Sequence, residues 1–149
     1  MGVVRDELER ARIVCLDTAP IIYFIENSPE FAPLVAPVVR DIDAGRRRGV
    51  SSIITLIEVL VKPLRLGRVA LADAYRRRLL GQPNLQLLDL AAPIAERAAE
   101  IRARHNFKVP DSIQLATAVH GGADLFLTND HDLARFTEIR VMTLAELAH

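Results

Sequence analysis

The sequence predicts a single α/β domain with a central parallel sheet of about five strands flanked by helices. Three observations carry this prediction. Short apolar runs alternate along the chain with longer segments of helical periodicity, the pattern of parallel strands joined by right-handed crossovers. The chain has 149 residues, half of them apolar, enough to bury one core. Two of the apolar runs, "RIVCLD" and "LFLTND", end abruptly in acid, as strands do where a parallel sheet opens its ligand crevice.

The elements follow in order. Residues 1–11 form an N-terminal extension to the domain 1–149. "RIVCLD" (12–17) reads as the first strand and "TAPIIYFIEN" as a helix. "SPE" at 28–30 starts a second helix that runs to "AGRRRG". "VSSI" (50–53) is the second strand. "TLIEVLVKPLRLG" is a helix that kinks or ends near Pro63 and stops at Gly67. "VALADAYRRRLLG" is another helix, and "NLQLLDL" (84–90) is the third strand. "APIAERAAEIRARHNF" is strongly periodic and helical. "VPDSIQLATAVHGG" is a helix with Asp111 as expected N-cap and Gly121-Gly122 as its stop. "ADLFLT" and "IRVMT" (139–143) complete the sheet.

Composition narrows the function. Lys plus Arg equals Asp plus Glu at 19 each, so a polyanion must be met by local patches rather than by global charge. The single cysteine, Cys15, forms no internal disulfide and reads as a small buried residue, which suits a reducing cytoplasm. No apolar run is long enough to span a membrane, and the N-terminus lacks a signal-peptide core.

The chemistry concentrates in the acids Asp17, Glu58, Asp111, Asp130 and Asp132. Each has a plain structural reading. Asp17, Asp111 and either Asp130 or Asp132 suit helix caps. Glu58 belongs to a polar stripe with Thr55, Lys62 and Arg65, where it pairs with Lys62 on a solvated face. Together they read differently. The crevice rule brings Asp17 and Asp130 side by side, and two such charges about 4 Å apart repel by about 1 kcal/mol in water and about 4 near a protein surface. Divalent cations relieve such repulsion, and carboxylate oxygens suit Mg²⁺ or Mn²⁺.

With these residues in place, the sequence resembles the PIN-domain family, in particular the VapC-type toxins of toxin–antitoxin pairs. The matching pieces are "VCLDTAPIIYFIE", "SSIITLIEVL", "VPDSIQLATAV" and "LFLTNDHDLARF", in family order and spacing. The resemblance implies a PIN-like fold, an acidic Mg²⁺ (or Mn²⁺) site and endoribonuclease activity on an RNA substrate. It also implies a homodimer and a cognate antitoxin protein that supplies the DNA-binding function, for which this chain has no motif. By motif, Asp17, Glu58, Asp111 and Asp130 match the four acids, Asp132 an accessory acid, and Thr128 and Asn129 the supporting polar pair.

Arg97, Arg104 and Lys108 lie on one predicted helical face ahead of Asp111 and are the RNA-contact candidates. Arg46–Arg48 and Arg76–Arg78 read as solvated helix ends and faces, the first favoured by the helix dipole. His131 reads as an exposed turn residue and Phe107 as core. A phosphatase of the haloacid dehalogenase type, with Asp17 as nucleophile, requires a second Asp two residues on, where Ala19 stands. A non-catalytic PIN-like module for metal or protein binding is the alternative that sequence leaves open.

Overall fold

A computed structural model describes residues 2–148. Its five strands are all parallel, in the order β3-β2-β1-β4-β5. They are β1 (Ile13–Leu16), β2 (Arg48–Ser52), β3 (Leu85–Leu88), β4 (Leu125–Thr128) and β5 (Arg140–Thr143). In register, Cys15 of β1 lies between Val50 of β2 and Phe126 of β4. The expected parallel α/β fold is therefore the observed one.

The strands are apolar without alternation because both sheet faces are covered. Alternate side chains feed two separate cores. Val14, Leu16, Leu125, Leu127 and Met142 pack against one helical layer, and Cys15, Val50, Phe126 and Val141 against the other. The first layer comprises α1 (Gly2–Arg10), α2 (Thr18–Ile25), α3 (Ala32–Asp43), α4 (Ile53–Arg65), α5 (Val69–Leu80) and α8 (Leu144–Leu147). The second comprises α6 (Ala92–His105) and α7 (Val109–His120). Cys15 and Phe107 are buried, as read from sequence, and His131 is exposed.

Several boundaries differ from expectation. Residue 53 is helical rather than the end of β2, because Ser52 caps α4 by accepting from the Ile54 N–H at 3.2 Å. As expected, α4 ends near Pro63: the proline lies in its last turn, the helix closes at Arg65, and the chain leaves through Gly67 at φ 66°. Helix α3 starts at Ala32, later than the "SPE" signal, with Pro33 in its first turn. Asp111 is not a cap. Pro110 is accommodated in the first turn, so α7 starts one residue before it and Lys108 takes the cap position without a side-chain bond.

The N-terminal extension is helical, and the first arginine cluster explains why it stays. Arg47 has only 9% of its side chain exposed and pairs with Asp41 at 3.0 Å. Its Nη1 donates to the Leu8 carbonyl and, at 2.9 Å, to the Ala11 carbonyl. It adds a donor to the Leu8 carbonyl, which also accepts the Ala11 N–H, and occupies the Ala11 carbonyl just past the end of α1. Arg46 also pairs with Asp41. Arg47 is thus a buckle between α1 and α3, not part of a solvated helix end, whereas Arg46 and Arg48 are exposed as expected from sequence. Arg47→Ala should therefore lower stability by about 2 kcal/mol, the scale of lost hydrogen bonds to a charged group. Amide exchange should rise selectively over residues 2–10, and Arg47→Lys, lacking the planar fork, should restore little of the protection.

Candidate active site

The strand order reverses between β1 and β4, and a parallel sheet opens its crevice at such a point. Asp17 leaves β1 there, and Asp130 follows β4. Thr128 joins them. Its buried hydroxyl donates to Asp17 Oδ2 at 2.7 Å and accepts the Asp130 N–H at 3.0 Å. The Asp17 N–H donates to the Leu127 carbonyl at 3.0 Å. Asp17 Oδ1 meanwhile accepts from the Thr18 N–H at 2.8 Å, so Asp17 does cap α2, and the capping and site readings coexist. Likewise, Asp130 Oδ1 accepts the Asp132 N–H at 3.0 Å and caps the 3₁₀ turn His131–Arg135.

Asp111 in the first turn of α7 and Glu58 on α4 weigh electrostatically on the same crevice. Asp17 is pushed up to about 6, first by burial, against the bonds from Thr128 and the Thr18 N–H; the charges of Asp111 and Glu58 add to the rise. Asp111 is raised first by burial and then by Asp130, with Lys108 opposing and Glu58 and Asp132 adding. Asp132 differs from the others. It is exposed, and Arg135 Nε and Nη2 grip its carboxylate at 2.7 and 3.1 Å, holding it below the usual range. Asn129, expected to support the acids, donates instead to the Tyr23 hydroxyl at 2.9 Å, so of the predicted polar pair only Thr128 touches a carboxylate.

The donor set suits a hard divalent cation: oxygen ligands only, a carboxylate raised by burial, and like charges raising one another. Among the described residues, no three His, Cys, Asp or Glu side chains stand close enough together to hold a metal ion as they are placed. Asp17, Asp111 and Asp130 are the residues that would hold it.

The basic candidates separate. Lys108 sits beside Asp111 and weighs on it electrostatically. Arg104 is exposed near the end of α6. Asn106 ends α6 in the left-handed conformation, so Lys108 lies beyond the helix rather than on its face. Arg97 is engaged by Glu100 at 3.0 Å and by Glu138, which makes it a structural ion pair rather than a free phosphate contact. In the second arginine cluster, Arg76 pairs with Asp73 and Arg78 with Asp43.

Sequence reasoning also misread the stripe on α4. Thr55 is fully buried rather than solvated, and Glu58 accepts from Thr18 Oγ1 at 2.7 Å, not from Lys62. It missed Gln114, buried one turn after Asp111 and bonded to both threonines. The only available signal is its spacing, one helical turn after Asp111, on a helix that also buries Ser112 and Thr117. Arg135 was missed as well; its guanidinium lies 4.4 Å from the Phe107 ring centroid.

A family model for the PIN domain matches residues 14–139. The chain belongs to the PIN domain family. Solved PIN structures share its fold. A toxin–antitoxin complex from Klebsiella pneumoniae matches with a TM-score of 0.67 at 22% identity, covering 88% of this chain and 97% of that one. The DNA-bound VapBC of Salmonella typhimurium matches at 0.65 and 23%, covering 88% and 97%. VapC20 of Mycobacterium tuberculosis, described as a Sarcin-Ricin loop cleaving toxin, matches at 0.67 and 17%, covering 85% and 98%. No curated protein matches the sequence.

The raised Asp17 makes a signed prediction for this PIN domain. Because its folded value, about 6, lies above the ordinary carboxylate value, the folded chain holds the proton more tightly than the unfolded chain. Stability should fall as pH rises from about 4 through 6, and the full penalty should stand above that window. Asp17→Asn should therefore stabilise the metal-free protein at pH 7.5 by about 1–3 kcal/mol and give no gain near pH 4. Denaturant unfolding in chelator at both pH values checks this; a loss at pH 7.5 would contradict the assigned burial.

Proposed function

We propose that this PIN domain is a Mg²⁺- or Mn²⁺-dependent endoribonuclease, the toxin of a toxin–antitoxin pair, working in the cytoplasm. One observation carries the reading: Asp17, Asp111, Asp130 and Glu58, drawn from four parts of the chain, act electrostatically on one crevice at the sheet's switch point. The fold shared with toxin–antitoxin complexes supports it, as does the activity printed for VapC20.

Asp17, Asp111 and Asp130 would hold the cation, with Asp132 as an accessory acid. When bound, it would acidify a water and stabilise charge on the departing oxygen. Glu58 would complete the shell or orient the attacking water for in-line attack on phosphorus as one P–O bond breaks. Thr128 fixes the Asp17 carboxylate by its hydrogen bond. Lys108 and Arg104 take RNA phosphates on the approach to Asp111.

The partner reading also has support. Helix α4 turns Ile57 (63% exposed), Val61 and Leu64 outward on the helix that carries Glu58, and Leu66 and Val69 extend the apolar surface. A homodimer and an antitoxin segment lying near the acids are the occupants we assign to such surfaces. No helix among the described residues is long and apolar enough to cross a membrane.

Calorimetry should show Mn²⁺ binding that weakens at least tenfold in Asp17→Asn and in Asp130→Asn, and cleavage of total RNA that is lost in both and in a well-folded Glu58→Gln. Wild-type protein that leaves RNA intact with Mg²⁺ and Mn²⁺ would return the chain to the non-catalytic interaction reading, which its apolar α4 face also suits. For substrate binding, titrations with Ca²⁺ in place of Mg²⁺ should show weaker RNA affinity in Lys108→Ala and Arg104→Ala, each flattening the salt slope by roughly one unit. Arg97→Ala should leave the slope unchanged and instead lower thermal stability. A slope change at Arg97 alone would relocate the RNA path.

A further inference from the structure

A line of polar side chains, buried at Gln114 and Thr55 and half-buried at Thr18, runs from α7 to Glu58 and is used by no step above. Gln114 is 1% exposed. Its Nε2 donates to Thr55 Oγ1 at 2.8 Å and to Thr18 Oγ1 at 3.2 Å. The two threonine hydroxyls lie 3.1 Å apart. Thr18 Oγ1 donates to Glu58 Oε1 at 2.7 Å.

Counting protons gives the line a direction. An ionised carboxylate only accepts, so Thr18 commits its single hydroxyl proton to Glu58. Thr18 must then accept from Thr55 and from Gln114. Thr55, having given its proton to Thr18, accepts the other Gln114 N–H. Every proton is used once, and the chain reads Gln114 to Thr55 to Thr18 to Glu58, ending in a charge-assisted bond. Turning the amide over would aim Oε1 at Thr55 and leave the Thr55–Thr18 contact without a proton. The orientation has a cost. Gln114 Oε1 is buried and meets no donor among the described residues. An apolar residue of similar size would fill the same space without that orphan.

We propose that Gln114, Thr55 and Thr18 are positioning residues that hold the Glu58 carboxylate in one orientation beside Asp17 and Asp111. Glu58 is exposed, so without them its side chain is free to sample several rotamers. Each member is tied to an acid by the chain itself: Thr18 follows Asp17, Thr55 lies one helical turn before Glu58, and Gln114 one turn after Asp111. Fixing the acids' elements and orienting Glu58 are thus done by the same bonds. The inference rests on the metal-dependent nuclease reading.

Two arms test it. In ¹⁵N-labelled protein, Glu58→Gln should shift the Gln114 side-chain amide resonances, and the Thr18→Val background should abolish that response. An unmoved Gln114 amide overturns the chain, whatever the wild-type protein does with metal or RNA. In the second arm, Gln114→Met and Thr55→Val should each weaken Mn²⁺ binding and RNA cleavage about tenfold with Tm unchanged or higher, whereas Thr55→Ser should match wild type. In the Glu58→Gln background, where cleavage is already lost, neither substitution should weaken Mn²⁺ binding further. Equal losses in both backgrounds, or losses that follow a falling Tm, mean ordinary packing and overturn the positioning role. Wild-type protein that neither binds Mn²⁺ nor cuts RNA overturns the nuclease reading instead, and the amide response still decides the chain.

Discussion

The hydroxyl of Thr128 is the contact on which the site depends. It is buried at the end of β4, and it binds the Asp17 carboxylate with its proton and the Asp130 N–H with a lone pair. Asp17 and Asp130 lie far apart in sequence, and their negative charges favour separation. The β1–β4 ladder brings their backbones together, and the threonine fixes how the two turns leave the sheet. Everything else in the crevice is arranged around that junction. Both aspartates also satisfy backbone N–H groups of the turns they begin, so local structure and site geometry are held by the same oxygens.

The crevice is assembled against electrostatics and held by packing. Asp17 and Asp111 are both raised by burial and by neighbouring acids. Two cores, one on each face of the sheet, supply the apolar burial that tolerates this. Such strain belongs to functional sites, where fixed charges are kept ready for a ligand that neutralises them. The buried Gln114 Oε1 has the same character, a small loss of stability retained where the fold meets its acids.

The arginines show the complementary economy. A chain with as many acids as bases does not present a broad basic surface, and most of its arginine clusters are spent internally. Arg47 buckles α1 to α3, Arg78 pairs with Asp43, Arg97 bridges to Glu138, and Arg135 spans from Asp132 to the Phe107 ring. Few are left for the crevice, which fits the proposed nuclease reading, in which a bound cation would share with side chains the task of receiving a polyanion.

The sequence by itself determined the parallel α/β class, the order of the strands, and the acids Asp17 and Asp130 that follow β1 and β4. These follow from local signals: apolar runs, helical periodicity, and polar residues where strands end. It did not determine partners. Arg97 and Arg104 are alike on paper, yet only Arg97 meets Glu138, because that pairing depends on where β5 docks. Thr55 looked solvated because a stripe on a helical wheel does not say which neighbour covers it; α2 and α7 do. Asp111 looked like a cap because residue type alone does not say how far back a proline lets a helix begin. Side-chain pairing is a long-range property. Only the packed sheet, with its reversal between β1 and β4, decided which polar groups meet.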